Sequence, residues 1–112
     1  MAGSHPPRGV LRGPQGQCLR AHLDEVLEIA GRYGATNLRV FGSVARGEDT
    51  EASDIDLLVD LPAGDTILVL AGLAEELSRA VGVHVDVATS DVLRDEIRAE
   101  AIRTAVPLEP GV

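Results

Sequence analysis

The chain has 112 residues, a length that predicts one domain, and 45% of them are hydrophobic, which is enough to form a core. The formal net charge of −8 argues against direct binding of nucleic acid, because an acidic surface repels the phosphate backbone. The single cysteine excludes an internal disulfide, and we find neither a membrane span nor a signal peptide, so a cytoplasmic protein is expected. A basic protein or a metal-bridged phosphate suits this charge better as a partner.

The N-terminal part divides into a lead and the start of the domain. Residues 1–17 are rich in Gly, Pro and Arg without periodicity, which predicts a disordered lead before a domain spanning residues 18–112. From Leu19 the apolar spacing predicts a helix that ends at Gly34. Its apolar face comprises Leu19, Leu23, Val26, Leu27, Ala30 and Tyr33.

The middle of the chain predicts strands. Residues 37–41 form a short strand, and residues 44–47 form a helical turn after it. Residues 54–61 and 83–88 alternate between apolar and polar side chains, which is typical of strands with one buried face. The apolar positions are Ile55, Leu57, Val59, Val83, Val85 and Val87.

Two helices and a last strand complete the prediction. One helix, capped by Asp65 or Thr66, runs to about Ala80. Another covers residues 91–105, and a short strand lies around residues 106–108. The residues of the second helix expected to face inward are Leu93, Ile97, Ala101 and Ile102. This order predicts an α/β (α+β) fold with a small mixed sheet and helices packed on one face.

Three aspartates on the two alternating strands form the candidate catalytic site. Side chains two positions apart on a strand share a side, so Asp54 and Asp56 project together, away from the helical layer. Neighbouring carboxylates repel unless a cation lies between them, and Mg²⁺ prefers carboxylate and phosphate oxygens. If the strand of Asp86 is adjacent, the three carboxylates can hold two metal ions, and Asp86 can also accept a proton from an attacking hydroxyl.

A possible phosphate-binding turn precedes them. Gly42 and Ser43 follow a predicted strand and open a helical turn, where backbone amides bind anions and a glycine permits close approach. The Ser43 hydroxyl can donate to a phosphate oxygen, and Arg46 can neutralise triphosphate charge. We therefore predict that these three residues bind a nucleotide.

The spacing of these motifs is specific. Ten residues separate Ser43 from Asp54, and a third strand aspartate follows one helix later. Gly-Ser, ten residues and Asp-x-Asp resembles the signature of the DNA polymerase β-like nucleotidyltransferase superfamily. The runs Phe-Gly-Ser-Val-Ala-Arg-Gly and Ser-Asp-Ile-Asp-Leu-Leu-Val-Asp are most similar to its minimal branch, the MNT domains. The likeness covers most of the chain from Leu19 onward.

The resemblance implies a polymerase β palm-like fold with the active site on the sheet face opposite the helices. In the family, residues matching Gly42 and Ser43 hold the triphosphate, and those matching Asp54, Asp56 and Asp86 hold Mg²⁺. Free-standing MNT proteins are typically antitoxins of a HEPN-domain RNase toxin. They transfer AMP from ATP to a tyrosine near the toxin's active site. The resemblance thus implies an Mg²⁺-dependent protein adenylyltransferase that forms a hetero-oligomer with a HEPN-type toxin.

Other residues of the pattern have more ordinary interpretations. Asp60 ends its strand, where a structural role is favoured. His84 shares the phase of Asp86, but Mg²⁺ prefers oxygen ligands, so we expect a surface histidine. The acidic loop of Glu48, Asp49 and Glu51 lacks the ligand spacing and the glycine of an EF-hand, so no Ca²⁺ site is predicted.

Two other functions remain open. The domain can be a non-catalytic binding module that neutralises a basic toxin by complex formation. A small-molecule acceptor is less favoured, because a chain of this size has no separate substrate domain. The three aspartates favour catalysis over pure binding, which gives no reason to keep repelling carboxylates together.

Overall fold

The computed structural model describes residues 11–62, 64 and 66–109. The elements in chain order are α1 (Pro14–Ala21), α2 (Leu23–Arg32), β1 (Thr36–Phe41), α3 (Gly42–Arg46), β2 (Ile55–Asp60), α4 (Thr66–Val81), β3 (Val85–Ala88), α5 (Asp95–Thr104) and β4 (Val106–Pro107). A 3-10 turn, Ser90–Val92, lies between β3 and α5. The predicted cap Asp65 lies outside the described residues. Among the described helices, none is both long enough and apolar enough to cross a membrane.

The strands form one four-stranded sheet in the order β3-β2-β1-β4. β1 runs antiparallel to both β2 and β4, whereas β2 and β3 are parallel. A parallel pair needs a crossover connection, and α4 provides it. α4 packs against β3 and α2, and α2 also contacts β1. The predicted mixed sheet and the α/β class are confirmed.

The core lies between the sheet and helices α2 and α4. Alternate side chains of β2 point into it, and Ile55, Leu57 and Val59 are fully buried there. The helices contribute Leu23, Val26, Ile29, Ala30, Leu70, Leu73 and Leu77. Leu58 is also fully buried, although it lies on the other side of β2 and outside this core cluster. The second side of the sheet is therefore covered at Leu58.

The prediction of a disordered lead up to residue 17 is wrong for the part that the structure describes. Leu11 is only 1% exposed and belongs to the core, and α1 begins at Pro14. The single helix predicted from Leu19 is divided at His22 into α1 and α2. Residues 1–10 of the predicted lead lie outside the described residues.

The glycines of this segment permit close packing. A Cβ atom on Gly16 would lie 2.7 Å from the Cα of Leu11, and one on Gly13 would overlap the carboxylate of Asp49. Asp49 is 6% exposed, and its Oδ2 accepts hydrogen bonds from the backbone amides of Gln15 at 2.7 Å and Gly16 at 3.1 Å. These amides belong to the first turn of α1, where no helical acceptor exists. Asp49 therefore joins the α3–β2 loop to the start of α1.

The inward face predicted for the last helix is only partly correct. Ala101 is buried, but Ile97 and Ile102 are 44% and 53% exposed. α5 has α3 and the 3-10 turn as its main neighbours, so it stays outside the core between the sheet, α2 and α4. Apolar spacing shows which face of a helix is hydrophobic, but it does not show whether another element covers that face.

We expect Asp49→Ala to lower the free energy of unfolding by roughly 1–2 kcal/mol, because two amides at a helix start lose their acceptor. Urea unfolding followed by far-UV circular dichroism measures the change. Glu48→Ala is the matched control, since it removes the same charge one residue away, where an exposed ion pair with Arg46 contributes little. Equal destabilisation by the two substitutions would contradict the capping role of Asp49.

Candidate active site

The register of the parallel strands brings the predicted carboxylates together. Asp56 on β2 is paired with Asp86 on β3, and the backbone amide of Ile55 donates to the carbonyl of His84 at 3.0 Å. Side chains two positions apart share a side, so Asp54 precedes Asp56 in one column and His84 precedes Asp86 in the next. Four polar side chains thus form two adjacent columns, on the side opposite to the buried Ile55.

Asp54, His84 and Asp86 form a group that can hold a metal ion. Each offers one ligand atom, these atoms all lie within 4.8 Å of one another, and all three residues are exposed. The Nε2 atom of His84 lies 2.9 Å from Oδ1 of Asp86. The expectation that His84 is a surface histidine describes its exposure but misses its position beside the carboxylates. The phase that it shares with Asp86 was the signal in the sequence.

Asp56 is the most enclosed of the three aspartates. Burial is the main cause that raises the pKa of its carboxyl from 3.8 to about 6, and the charges of Asp86 and Asp54 raise it further, whereas His84 opposes them. Burial and the two neighbouring negative charges each penalise the ionised form of Asp56. A divalent cation would supply the missing positive charge, so this carboxylate is suited to bind one.

The predicted phosphate-binding turn lies next to Asp56. Phe41, the last residue of β1, is paired with Asp56 in the antiparallel register, and Gly42 begins α3 directly after it. Gly42 has a φ of 75°, and a Cβ atom there would lie 2.7 Å from Oδ2 of Asp56. Both features require glycine. Ser43 follows in α3 and is partly buried, so the Gly42–Ser43 turn lies directly beside the Asp56 carboxylate.

Arg46, predicted to bind the nucleotide, and Asp60, expected to be structural, both form hydrogen bonds with other side chains. Arg46 lies at the end of α3, where its Nε donates to Oε1 of Glu48 at 2.9 Å, and its nucleotide-binding role stays a prediction. Asp60 accepts hydrogen bonds from Arg39 at 2.9 Å and Asn37 at 3.0 Å. Asp60 therefore links the ends of β1 and β2, in agreement with the structural role favoured for it.

The pKa of Asp56 predicts how stability depends on pH in the metal-free protein. Below pH 3.8, the pKa in the unfolded chain, the carboxyl is protonated in both states. Between pH 3.8 and about 6 the unfolded chain ionises while the folded chain keeps its proton, so the free energy of unfolding falls across this range and the loss is complete above about 6. Asp56→Asn removes this loss, so we expect the variant to be more stable than wild type near neutral pH, with an advantage that shrinks in acid. Urea unfolding in EDTA across this pH range measures the difference. A difference that does not vary with pH would contradict the assigned ionisation.

Comparison with known proteins identifies the family of this chain. The family model of the nucleotidyltransferase domain matches residues 19–106. Protein adenylyltransferase MntA of Thermococcus cleftensis is 36% identical over 88 residues, which cover 79% of this chain and 86% of that protein. A solved structure named as a minimal nucleotidyltransferase is 42% identical, with a TM-score of 0.72 and coverage of 95% of this chain and 100% of the other.

A more distant structure shares the fold. A toxin–antitoxin structure with AMP-PNP contains a chain that is 18% identical, with a TM-score of 0.68 and coverage of 78% of this chain and 72% of that one. The polymerase β-like architecture implied by the Gly-Ser and Asp-x-Asp spacing is thus confirmed. The chain belongs to the nucleotidyltransferase domain family, among its minimal members.

Proposed function

We propose that this protein is an Mg²⁺-dependent protein adenylyltransferase that transfers AMP from ATP to a tyrosine of a HEPN-type RNase toxin and thereby acts as its antitoxin. The observation that carries the proposal is the arrangement of Asp54, Asp56 and Asp86 on adjacent strands beside Gly42. A nucleotidyltransferase needs a cation site and a triphosphate site in contact, and these residues can supply both.

The donor set fits Mg²⁺. The pKa of Asp56, raised to about 6 by burial and by its acidic neighbours, indicates a site that lacks positive charge. Asp54, Asp56 and Asp86 would hold the metal through their carboxylate oxygens, which are the ligands that Mg²⁺ prefers. When bound, Mg²⁺ would neutralise charge that develops on the phosphate oxygens during transfer.

The residues of the chain have separate roles in this reaction. The Gly42 backbone and the Ser43 hydroxyl bind the triphosphate, and Arg46 can add a positive charge if it leaves Glu48. The acceptor oxygen forms a bond to the α-phosphorus, while the bond from that phosphorus to the α–β bridging oxygen breaks and pyrophosphate leaves. Asp86 accepts the proton of the attacking hydroxyl.

Three observations support a protein partner. The relative from Thermococcus cleftensis is named a protein adenylyltransferase. The fold is shared with a chain of a toxin–antitoxin structure with AMP-PNP. The net charge of −8 favours association with a basic surface and disfavours direct contact with RNA or DNA. The site would thus act on the toxin as substrate, in a cytoplasmic hetero-oligomer.

The test is transfer of label from α-labelled ATP, with Mg²⁺, to a lysate of the source organism. We expect wild type to label one discrete small protein and Asp56→Asn to label it at least about 100-fold more slowly, the scale of losing one electrostatic group in a catalytic site. Asp60→Asn is the matched control, because Asp60 lies on the same strand in the same phase but is bonded to Asn37 and Arg39. Full transfer by Asp56→Asn would contradict the proposal.

The binding-module alternative differs in stoichiometry. An enzyme inactivates many toxin molecules per molecule of protein, so wild type with ATP should abolish the toxin's RNase activity at substoichiometric amounts. Asp56→Asn should then require at least one molecule per toxin. If wild type and Asp56→Asn neutralise the toxin at the same one-to-one ratio, with or without ATP, the binding module is the correct function.

A further inference from the structure

His84 occupies a position that the proposed mechanism does not use. Asp54 lies directly before β2, two residues before Asp56, and His84 lies directly before β3, two residues before Asp86. The hydrogen bond from the Ile55 amide to the His84 carbonyl fixes the histidine backbone beside Asp54. The His84 side chain is exposed, and among the described residues its hydrogen-bond partner is Asp86. Its ring therefore lies at the open edge of the carboxylate site.

We propose that His84 is a direct ligand to the divalent cation of this site and that its nitrogen lets the site bind Mn²⁺ more tightly than Mg²⁺, so that both ions can support the proposed transfer. The inference rests on the proposed metal-dependent function, which it deepens by assigning a fourth metal-binding residue and a preferred metal. It also gives His84 a role that differs from holding Asp86 in place.

The distances suit one octahedral ion. With metal–ligand bonds of about 2.1 Å, neighbouring ligand atoms of an octahedron are about 3.0 Å apart and opposite ones about 4.2 Å apart. Nε2 of His84 and Oδ1 of Asp86 are 2.9 Å apart, as neighbouring ligands require. The Asp54 oxygen lies within 4.8 Å of both atoms. Because the three side chains are exposed, small rotations can bring all three atoms to one ion.

The chemical type of the ligand atoms determines whether the site binds Mn²⁺ or Mg²⁺ more tightly. Mg²⁺ is a hard ion that takes oxygen ligands, whereas an imidazole nitrogen adds little to its binding. Mn²⁺ shares the preference of Mg²⁺ for carboxylate and phosphate oxygens, but it is the softer ion and loses less affinity when an imidazole nitrogen replaces one oxygen ligand. Adding the imidazole of His84 to the carboxylates therefore favours Mn²⁺ relative to Mg²⁺.

The first measurement is Mn²⁺ binding to the metal-free protein, in mildly alkaline buffer, from the EPR signal of the free ion. Competition with Mg²⁺ gives the second affinity. We expect His84→Gln to weaken Mn²⁺ binding by at least about tenfold, the lower limit of what loss of even an indirect ligand partner costs. Mg²⁺ binding should change much less.

The glutamine amide can still bond to Asp86, so a role limited to orienting Asp86 predicts no selective loss. Asp60→Asn controls for a change of charge on the same sheet face.

Pulsed EPR tests the bond itself. Mn²⁺ bound to wild type should show coupling to a ¹⁴N nucleus, and the coupling should disappear in His84→Gln. Bound Mn²⁺ without nitrogen coupling, or equal Mn²⁺ affinity of wild type and His84→Gln, overturns the role of His84.

The same binding measurements distinguish an error in the ligand role of His84 from an error in the proposed function. If Asp54→Asn abolishes Mn²⁺ binding while His84→Gln leaves the Mn²⁺ affinity unchanged, the carboxylate site stands and the ligand role of His84 is wrong. If wild type binds neither Mn²⁺ nor Mg²⁺, the role of His84 and the metal-dependent transferase are both wrong.

Discussion

The parallel register of β2 and β3 is the constraint on which the site depends, because it places Asp56 opposite Asp86. Like charges in this arrangement repel, and the repulsion contributes to the raised pKa of Asp56. Buried side chains on the opposite face of β2 maintain this register. Ile55, Leu57 and Val59 are fully buried, and each such side chain contributes about 1.5–3 kcal/mol on burial. A slip by one residue would expose these side chains to water and bury the aspartates, so the core holds the carboxylates together.

A second contact shapes the segment between the Gly42–Ser43 turn and the carboxylates. The loop from Gly47 to Asp54 spans the distance from α3 to β2, and Asp49 in this loop binds the first amides of α1. α1 in turn packs against α2 and α3. The ten residues between Ser43 and Asp54 thus contain an anchor to the core, which limits how far the Gly42–Ser43 turn and the aspartates can move apart. The acidic loop is a structural element as well as a spacer.

The sequence predicts the parts of this molecule that depend on local periodicity. The alternation around Ile55 and Val85 identifies both strands and places Asp54, Asp56 and Asp86 on one side, because a strand has a period of two. The prediction of disorder around Gly13 and Gly16 is wrong, because a segment whose glycines permit tertiary contact has the same composition as a flexible lead. Their partner Asp49 is more than thirty positions away, and no local pattern identifies it.

The remaining differences between prediction and structure also arise from contacts between distant parts of the chain. The exposure of Ile97 and Ile102 depends on which elements cover α5, and the spacing of these residues cannot reveal that. The strand alternation places His84 on the same side as Asp86, but the preference of Mg²⁺ for oxygen ligands argues against a ligand role and leads to the prediction of a surface histidine. Its closeness to Asp54 follows only from the pairing of β2 with β3. The sequence alone also does not show that the Arg46 side chain pairs with Glu48.

The central claim is that the carboxylates and the Gly42 turn form one metal-nucleotide site, and calorimetric binding of an ATP analogue with a non-hydrolysable α–β linkage tests it most directly. We expect wild type to bind the analogue only with Mg²⁺ or Mn²⁺. Gly42→Ala should lose this binding, because its Cβ would lie 2.7 Å from Oδ2 of Asp56. Gly31→Ala, where the added Cβ meets nothing within 4 Å, should retain it. Equal binding without a divalent cation, or unchanged binding by Gly42→Ala, would contradict a shared site.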